Sequence, residues 1–171
     1  MSYYVVIRGA LAVGKTTVSK ALADAVRGHI ISIDAILDRH GLEEWVDDRI
    51  SERSYIRVND IAVAEAGPIM SRGTPVIFDG CFYYRSQIDD LAQRLNFPHA
   101  VFTLKAPLSE CVERDHQRAV SYGEQAAREV FTMVAEVEYG IDVDARRPVS
   151  EVIPEIVHRL RESSPGEPGA T

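Results

Sequence analysis

Lysine is almost missing from this chain: Lys15, Lys20 and Lys105 are the only three, and arginine carries the rest of the positive charge. Acidic residues outnumber basic ones, 26 against 19, giving a formal net charge of −7. That balance excludes a broad electrostatic footprint for long nucleic acid, while leaving room for a local basic cleft. Cysteine is also scarce. Cys81 and Cys111 are the only two, they form no Cys-x-x-Cys pair, and no His/Cys cluster has zinc spacing. Two reduced, half-buried thiols are therefore expected, not a disulfide framework or a structural zinc site. No run approaches the ~20 apolar residues of a membrane span. Met1-Ser2-Tyr3-Tyr4 passes straight into a strand pattern, with no charged segment ahead of a long apolar one. No membrane anchor and no signal peptide are expected, and the expected location is cytoplasmic.

The 171 residues include 46% hydrophobic and 26% charged, the balance of one ordinary soluble domain. Short β-branched runs alternate with helical patterns along the chain. Strands are predicted at Tyr3 to Arg8, His29 to Ile33, Pro75 to Phe78, His99 to Leu104 and Ile141 to Val143. Helices are predicted at Lys15 to Val26, Glu52 to Arg72 (with a kink signal at Gly67-Pro68), Gln87 to Leu95, Glu110 to Arg118, Glu124 to Tyr139 and from Ser150 to Arg161. Ser109 and Ser150 are the predicted N-caps of their helices. Such alternation means βαβ crossovers and a mainly parallel sheet. Residues 37 to 57 and 119 to 124 break the rhythm and are the expected substrate-facing insertions. One domain is expected over 1–162, and Ser163 to Thr171, rich in Pro, Gly and Ser, reads as a frayed tail.

Between the first strand and first helix lies Gly9-Ala10-Leu11-Ala12-Val13-Gly14-Lys15-Thr16. This is Gly-x-x-x-x-Gly-Lys-Thr in the strand–turn–helix context that gives it meaning. Its glycines permit the tight turn and close backbone approach, so that backbone N–H groups and the helix N-terminus converge on an anion. Lys15 would bridge the β- and γ-phosphates of a nucleotide. Thr16 would offer its hydroxyl to Mg²⁺, a hard cation that prefers oxygen, and Thr17 would reach the α-phosphate. Gly9, Ala12, Val13, Gly14, Lys15, Thr16 and Thr17 are thus the candidate nucleotide-binding residues.

Three further features surround this loop. Asp34 ends the second strand, and ligands of parallel sheets collect at the carboxyl ends of strands. A carboxylate there can take a proton from an attacking hydroxyl; the alternative is an N-cap of the next helix. Asp79 ends the third strand, where it can hold Mg²⁺ or a substrate hydroxyl; alternatively Asp79-Gly80 is simply a turn. Arg114 and Arg118 lie four apart, on one face of a helix, and can clamp a transferring phosphate or stack on adenine; the alternative is a salt-bridged surface helix.

Taken together, the P-loop after a strand, the strand-terminal Asp34, Asp79-Gly80 and Leu104-x-Ala-Pro-Leu-x-x-Cys-x-x-Arg-Asp-x-x-Arg118 resemble the small P-loop kinases. That group includes the kinase domain of polynucleotide kinases, chloramphenicol phosphotransferase, adenylylsulfate kinase, and the shikimate and gluconate kinases. The resemblance covers roughly residues 3 to 160. It implies an α/β fold, a three-layer α/β/α P-loop NTPase sandwich on a mainly parallel five-stranded sheet of order 2-3-1-4-5. It also implies a helical lid near 111–123 and adenine packing near Asp142 to Pro148. The implied activity is ATP-dependent transfer of a γ-phosphoryl group to a hydroxyl of a small molecule, with ATP and Mg²⁺ as cofactors. Lys15, Asp34, Arg114 and Arg118 would be catalytic, Arg114 would also contact the nucleotide, and Thr16 and Asp79 would hold the metal. A nucleotide-dependent switch or ATPase, or a polynucleotide 5′-kinase, is the alternative.

The chain departs from the group in places. Ala10-Leu11-Ala12-Val13 is more apolar than the usual Gly/Ser-rich loop. No Asn-Lys-x-Asp guanine-reading motif is present, which counts against a GTPase. Gly80-Cys81-Phe82-Tyr83-Tyr84-Arg85 replaces the Thr-Asn of polynucleotide kinases, so a nucleic-acid substrate is not favoured. On the acceptor side, Asp34, Arg53, Arg57, Asp79, Tyr84 and Arg85 are the candidates, with Arg49, Arg53 and Arg57 spaced as one helical stripe. Trp45 is expected in core or edge packing. A monomer or a homodimer fits equally.

Overall fold

The computed structural model describes residues 2–47 and 49–163. The tail expected over 163–171 lies, apart from Ser163, outside the described residues. In chain order the elements are β1 (Tyr4–Gly9), α1 (Lys15–Val26), β2 (His29–Ser32), α2 (Ile33–Arg39), β3 (Trp45–Val46), β4 (Arg49–Ile50), α3 (Glu52–Ser71), β5 (Val76–Asp79), α4 (Arg85–Arg94), β6 (His99–Lys105), α5 (Leu108–His116), α6 (Glu124–Glu136), β7 (Ile141–Asp144) and α7 (Val149–Ser163).

Five strands form one sheet in the order β2-β5-β1-β6-β7, and every neighbouring pair is parallel. Counted within this sheet alone, that is 2-3-1-4-5, as the resemblance implied. Alternation along β1 divides the core. Tyr4 and Val6 join Ile31, Val76 and Phe78 on one face, against α2, α3 and α4. Val5 and Ile7 join Ile77, Phe102 and Leu104 on the other, against Val18 and Leu22 of α1 and Val152 and Ile156 of α7. Successive strand side chains point to opposite faces, so one short run feeds both layers. Each fully buried Leu, Ile or Phe contributes about 1.5–3 kcal/mol relative to exposure.

The register is what builds the site. Ile7 of β1 pairs with Asp79, and Ser32 of β2 pairs with the same Asp79. The P-loop, the start of α2 and Asp79 therefore emerge together at the carboxyl edge of the sheet.

Several local expectations need correction. The second strand stops at Ser32, not Ile33; the Ser32 hydroxyl accepts from Ala35 N at 3.3 Å and caps α2. Pro107, not Ser109, occupies the cap position of α5, and α5 ends at His116. Arg118 thus lies beyond the helix it was expected to share with Arg114. α6 stops at Glu136 rather than Tyr139. Ser150 lies inside the first turn of α7. Trp45 and Val46 pair with Ile50 and Arg49 as an antiparallel hairpin of two-residue strands. Arg49 belongs to this hairpin, so the proposed stripe reduces to Arg53 and Arg57. Trp45 is 62% exposed there instead of packed. Both cysteines are free and fully buried rather than half-buried.

Candidate active site

The glycines of the P-loop act for different reasons. A Cβ on Gly9 would come within 2.8 Å of Val13 Cγ1 and 2.9 Å of Leu104 O, so space excludes a side chain. Gly14 has open space around it but sits at φ 110°, where side chains are strained. It occupies the cap position of α1 and supplies no side-chain bond, leaving the first N–H groups of α1 free for an anion. Ala12 is also left-handed, at φ 58°, without being glycine.

Lys15 is buried, and its ammonium donates to Ala10 O at 2.7 Å. The Thr16 hydroxyl donates to Asp79 Oδ2 at 2.9 Å. Asp79 is buried at the end of β5, and its other oxygen, Oδ1, has no hydrogen-bond partner. A buried carboxylate oxygen without a donor beside a hydroxyl oxygen suits a hard cation or the water around one, so the residues present fit Mg²⁺.

One cleft of about 270 Å³ is lined by Leu11, Ala12, Gly14, Lys15, Thr16, Thr17, Asp34, Arg114, Arg118 and Tyr122. A larger hollow of about 410 Å³ lies near the amino ends of the strands, around Tyr3 and His99, and gathers no comparable set of charged groups. Asp34 stands in the first turn of α2 with its surface open to the cleft, yet protein surrounds it on most sides. Burial raises its carboxyl above the usual carboxylate range; the Asp79 carboxylate pushes the same way, against Lys15 and Arg118.

Arg114 braces the cleft. Its guanidinium donates to Val13 O at 3.1 Å, to Glu110 Oε2 at 3.2 Å and to Ala145 O at 3.4 Å. It thereby ties α5 to the P-loop and to the loop after β7, where adenine packing was expected. In that loop Arg146 turns back onto Asp144, holding its carboxyl well below the usual range. Arg118 lies 3.8 Å from Asp115 Oδ1 and over the Tyr122 ring at 5.6 Å.

The acceptor-side candidates are less united. Asp34 lines the cleft and Asp79 lies behind it. Tyr84 is half-buried before α4, and its hydroxyl donates to Ile50 O at 3.0 Å, securing the hairpin. Arg85 is exposed, paired with Asp89 at 3.6 Å and lying over the Tyr139 ring. Arg53 and Arg57 are exposed, while Tyr55, Val58, Asn59 and Ala62 form the buried face of α3. None of these three arginines lines the cleft.

Sequence reasoning missed three features here. Arg8 is fully buried and donates to Phe82 O, Thr103 Oγ1, Val137 O and Val134 O. Burial lowers its pKa from the usual arginine value. The one available signal was position: Arg8 shares the buried face of β1 with Tyr4 and Val6. Cys81 lies among Lys15, Asp34 and Asp79, and burial pushes its thiol up to about 11 despite Lys15. Asp115, to which no role was given, is fully buried.

Parallel sheet order, P-loop and cleft together define the fold of a small P-loop kinase. A family model described as AAA domain matches residues 5–137, and the chain belongs to that family. No curated protein matches the chain in sequence. Among solved structures, a sugar kinase from Janibacter sp. HTCC2649 is similar, with TM-score 0.79 and 17% identity over 94% of this chain and 95% of that one. The APS kinase of Mycobacterium tuberculosis, in complex with AMPPNP and APS, gives TM-score 0.72 and 10% identity over 94% and 98%. A gluconokinase from Sinorhizobium meliloti 1021 gives 0.64 and 19% over 95% and 97%. At these identities the likeness establishes a shared fold. Among the described residues, no helix is long and apolar enough to cross a membrane.

Proposed function

We propose that this chain is an ATP-dependent kinase that transfers a γ-phosphoryl group to a hydroxyl of a small-molecule acceptor. One observation carries the reading: Asp34, a carboxylate of raised pKa, lines the same cleft as Lys15 and Thr16. A phosphate cradle alone binds nucleotide; a carboxylate facing it can receive an acceptor proton.

In this reading the backbone from Gly9 to Thr17 holds the phosphates. Lys15 has three donors, so it can reach the β- and γ-phosphates while keeping its bond to Ala10 O. Asp34 orients the acceptor hydroxyl and takes its proton. Arg118 neutralises charge on the moving group, and Arg114 fixes the P-loop against α5 and contacts the nucleotide. Thr16 and Asp79 would hold Mg²⁺, which when bound supplies charge neutralisation between the phosphates. Positioning and electrostatics provide most of the rate. The expected setting is cytoplasmic, as a monomer or a homodimer.

The acidic net charge favours a small acceptor over a nucleic-acid end. The test is ADP release from Mg·ATP across a panel of hydroxyl acceptors, including sugars, sugar acids and nucleosides. Release that rises with one acceptor supports the reading. Release that responds to none sinks it and favours a nucleotide-dependent switch.

A further inference from the structure

The turn between α5 and α6 carries Arg118 and Tyr122 into the cleft, yet no apolar burial holds it. Val120 is 76% exposed and Tyr122 61% exposed. Most of its hydrogen bonds converge on one side chain. Asp115, in the last turn of α5, is fully buried. Its Oδ2 accepts from Ser121 Oγ at 2.6 Å, Tyr122 N at 3.0 Å and Gly123 N at 3.0 Å. Gly123 is the cap position of α6 and offers no side chain of its own. Asp115 therefore satisfies, from a neighbouring helix, the backbone N–H of the cap residue and of the residue before it, which fixes the entry of the chain into α6. Burial alone would raise its carboxyl, but the three donors and Arg118 outweigh it, so the group stays below its ordinary value and ionised.

We propose that Asp115 is a positioning residue that pins residues 118–123, so that Arg118 faces the P-loop before any phosphate arrives. The catalytic consequence rests on the kinase reading; the pinning itself does not. Arg118 is held between Asp115 Oδ1 and the Tyr122 ring, and both supports depend on the same carboxylate. Without it, the turn keeps the backbone bonds Gln117 N to Glu113 O and Arg118 N to Asp115 O, which fix its first two residues, and one exposed local bond from Gly123 N to Ser121 Oγ at 3.1 Å.

The test compares Asp115→Asn, Ser121→Ala, Arg118→Ala and the double variant Asp115→Asn/Arg118→Ala, all in the full chain. Hydrogen exchange at the Tyr122 and Gly123 amides should quicken about tenfold or more in Asp115→Asn, the loss of a charged acceptor, while amides of β1 and β6 stay unchanged. Ser121→Ala should quicken the same amides less, and it carries this arm should Asp115→Asn fail to fold. In turnover, Asp115→Asn should lower kcat towards the Arg118→Ala level with little change in nucleotide KM. The double variant should be no slower than Arg118→Ala. Glu113→Gln, two residues earlier on α5 and outside the cleft, should match the parent. Unchanged exchange, or losses that multiply in the double variant, would overturn the proposal. Should no acceptor elicit turnover, the kinase reading falls, and calorimetry with Mg·AMP-PNP against Mg·ADP takes over. The preference for the triphosphate analogue should shrink in both single variants and no further in the double; a preference kept in Asp115→Asn would overturn the pinning role.

Discussion

The phosphate cradle and the groups that face it are assembled by opposite means. The cradle is contiguous: residues 9–17 supply it largely through backbone N–H groups, and side chains matter mainly where they must be absent or left-handed. The facing wall is gathered from α2, β5, α5 and the turn after α5, and works through side chains whose supports are distant in sequence. A contiguous anion site asks little of the side chains at its x positions, here the apolar Ala10 to Val13, because its donors are backbone N–H groups. A gathered wall can be dismantled from several places.

The largest expected effect tests the wall. Asp34→Asn should cut turnover about 10²–10⁴-fold, in a coupled ADP assay, while calorimetric nucleotide affinity stays at the parent level. Its stability effect should run the other way. The folded carboxyl has a raised pKa, so protonation favours the fold; that contribution is full below the unfolded value and is lost as pH rises through the folded one. At neutral pH the uncharged amide escapes this cost, and the thermal midpoint should rise. The kcat/KM profile of the parent should climb with pH as Asp34 ionises, and the variant should lack that limb. Near-normal turnover in Asp34→Asn would remove the wall from the mechanism.

Next comes the cradle. Lys15→Ala should lower turnover about 10²–10³-fold, as for removal of one charge-stabilising donor, and weaken nucleotide binding with it. Intact affinity by calorimetry would break the contrast at its base. Between the two regions, Asp79→Asn should raise the Mg²⁺ needed for half-maximal activity about tenfold or more, read from a metal titration.

The support behind the wall comes third in size. Arg8→Met should lower unfolding free energy by about 3 kcal/mol or more, because buried carbonyls lose their donor, measured by urea denaturation. Nucleotide affinity of the folded protein should change little. The smallest effect belongs to Ala12→Gly. Relief of left-handed strain, about 1–2 kcal/mol, is offset by about 0.4–1 kcal/mol of extra unfolded-chain freedom. The net gain should stay near 1 kcal/mol or below.

This contrast also explains what could be read from the sequence. The P-loop, the parallel sheet and the strand-terminal Asp79 were legible because each is written in adjacent residues: a motif, a β-branched run, a stop. Asp34 was expected to end the second strand; it stands two residues past it, in the first turn of α2, and Ser32 caps that helix. Arg8 was illegible because its acceptors lie 74 to 129 residues away. Asp115 was illegible because an acid beside arginines looks like a surface partner until an irregular turn folds three donors onto it. The Arg49 stripe failed for a related reason. Two-residue strands have no periodicity to betray them, and helical spacing fits many short stretches by chance.

The β3–β4 hairpin has one more consequence, and it is spectroscopic. Trp45 is the sole tryptophan of the chain, and it stands largely in solvent, with its indole N–H bonded to Glu43. Its emission in the native protein should already resemble that of an unfolded chain. Tryptophan fluorescence will therefore be a poor reporter of global unfolding, which should be followed by circular dichroism. The same indole becomes a selective probe of the hairpin: any acceptor that draws the 45–50 segment inward should shift its emission to the blue without a label.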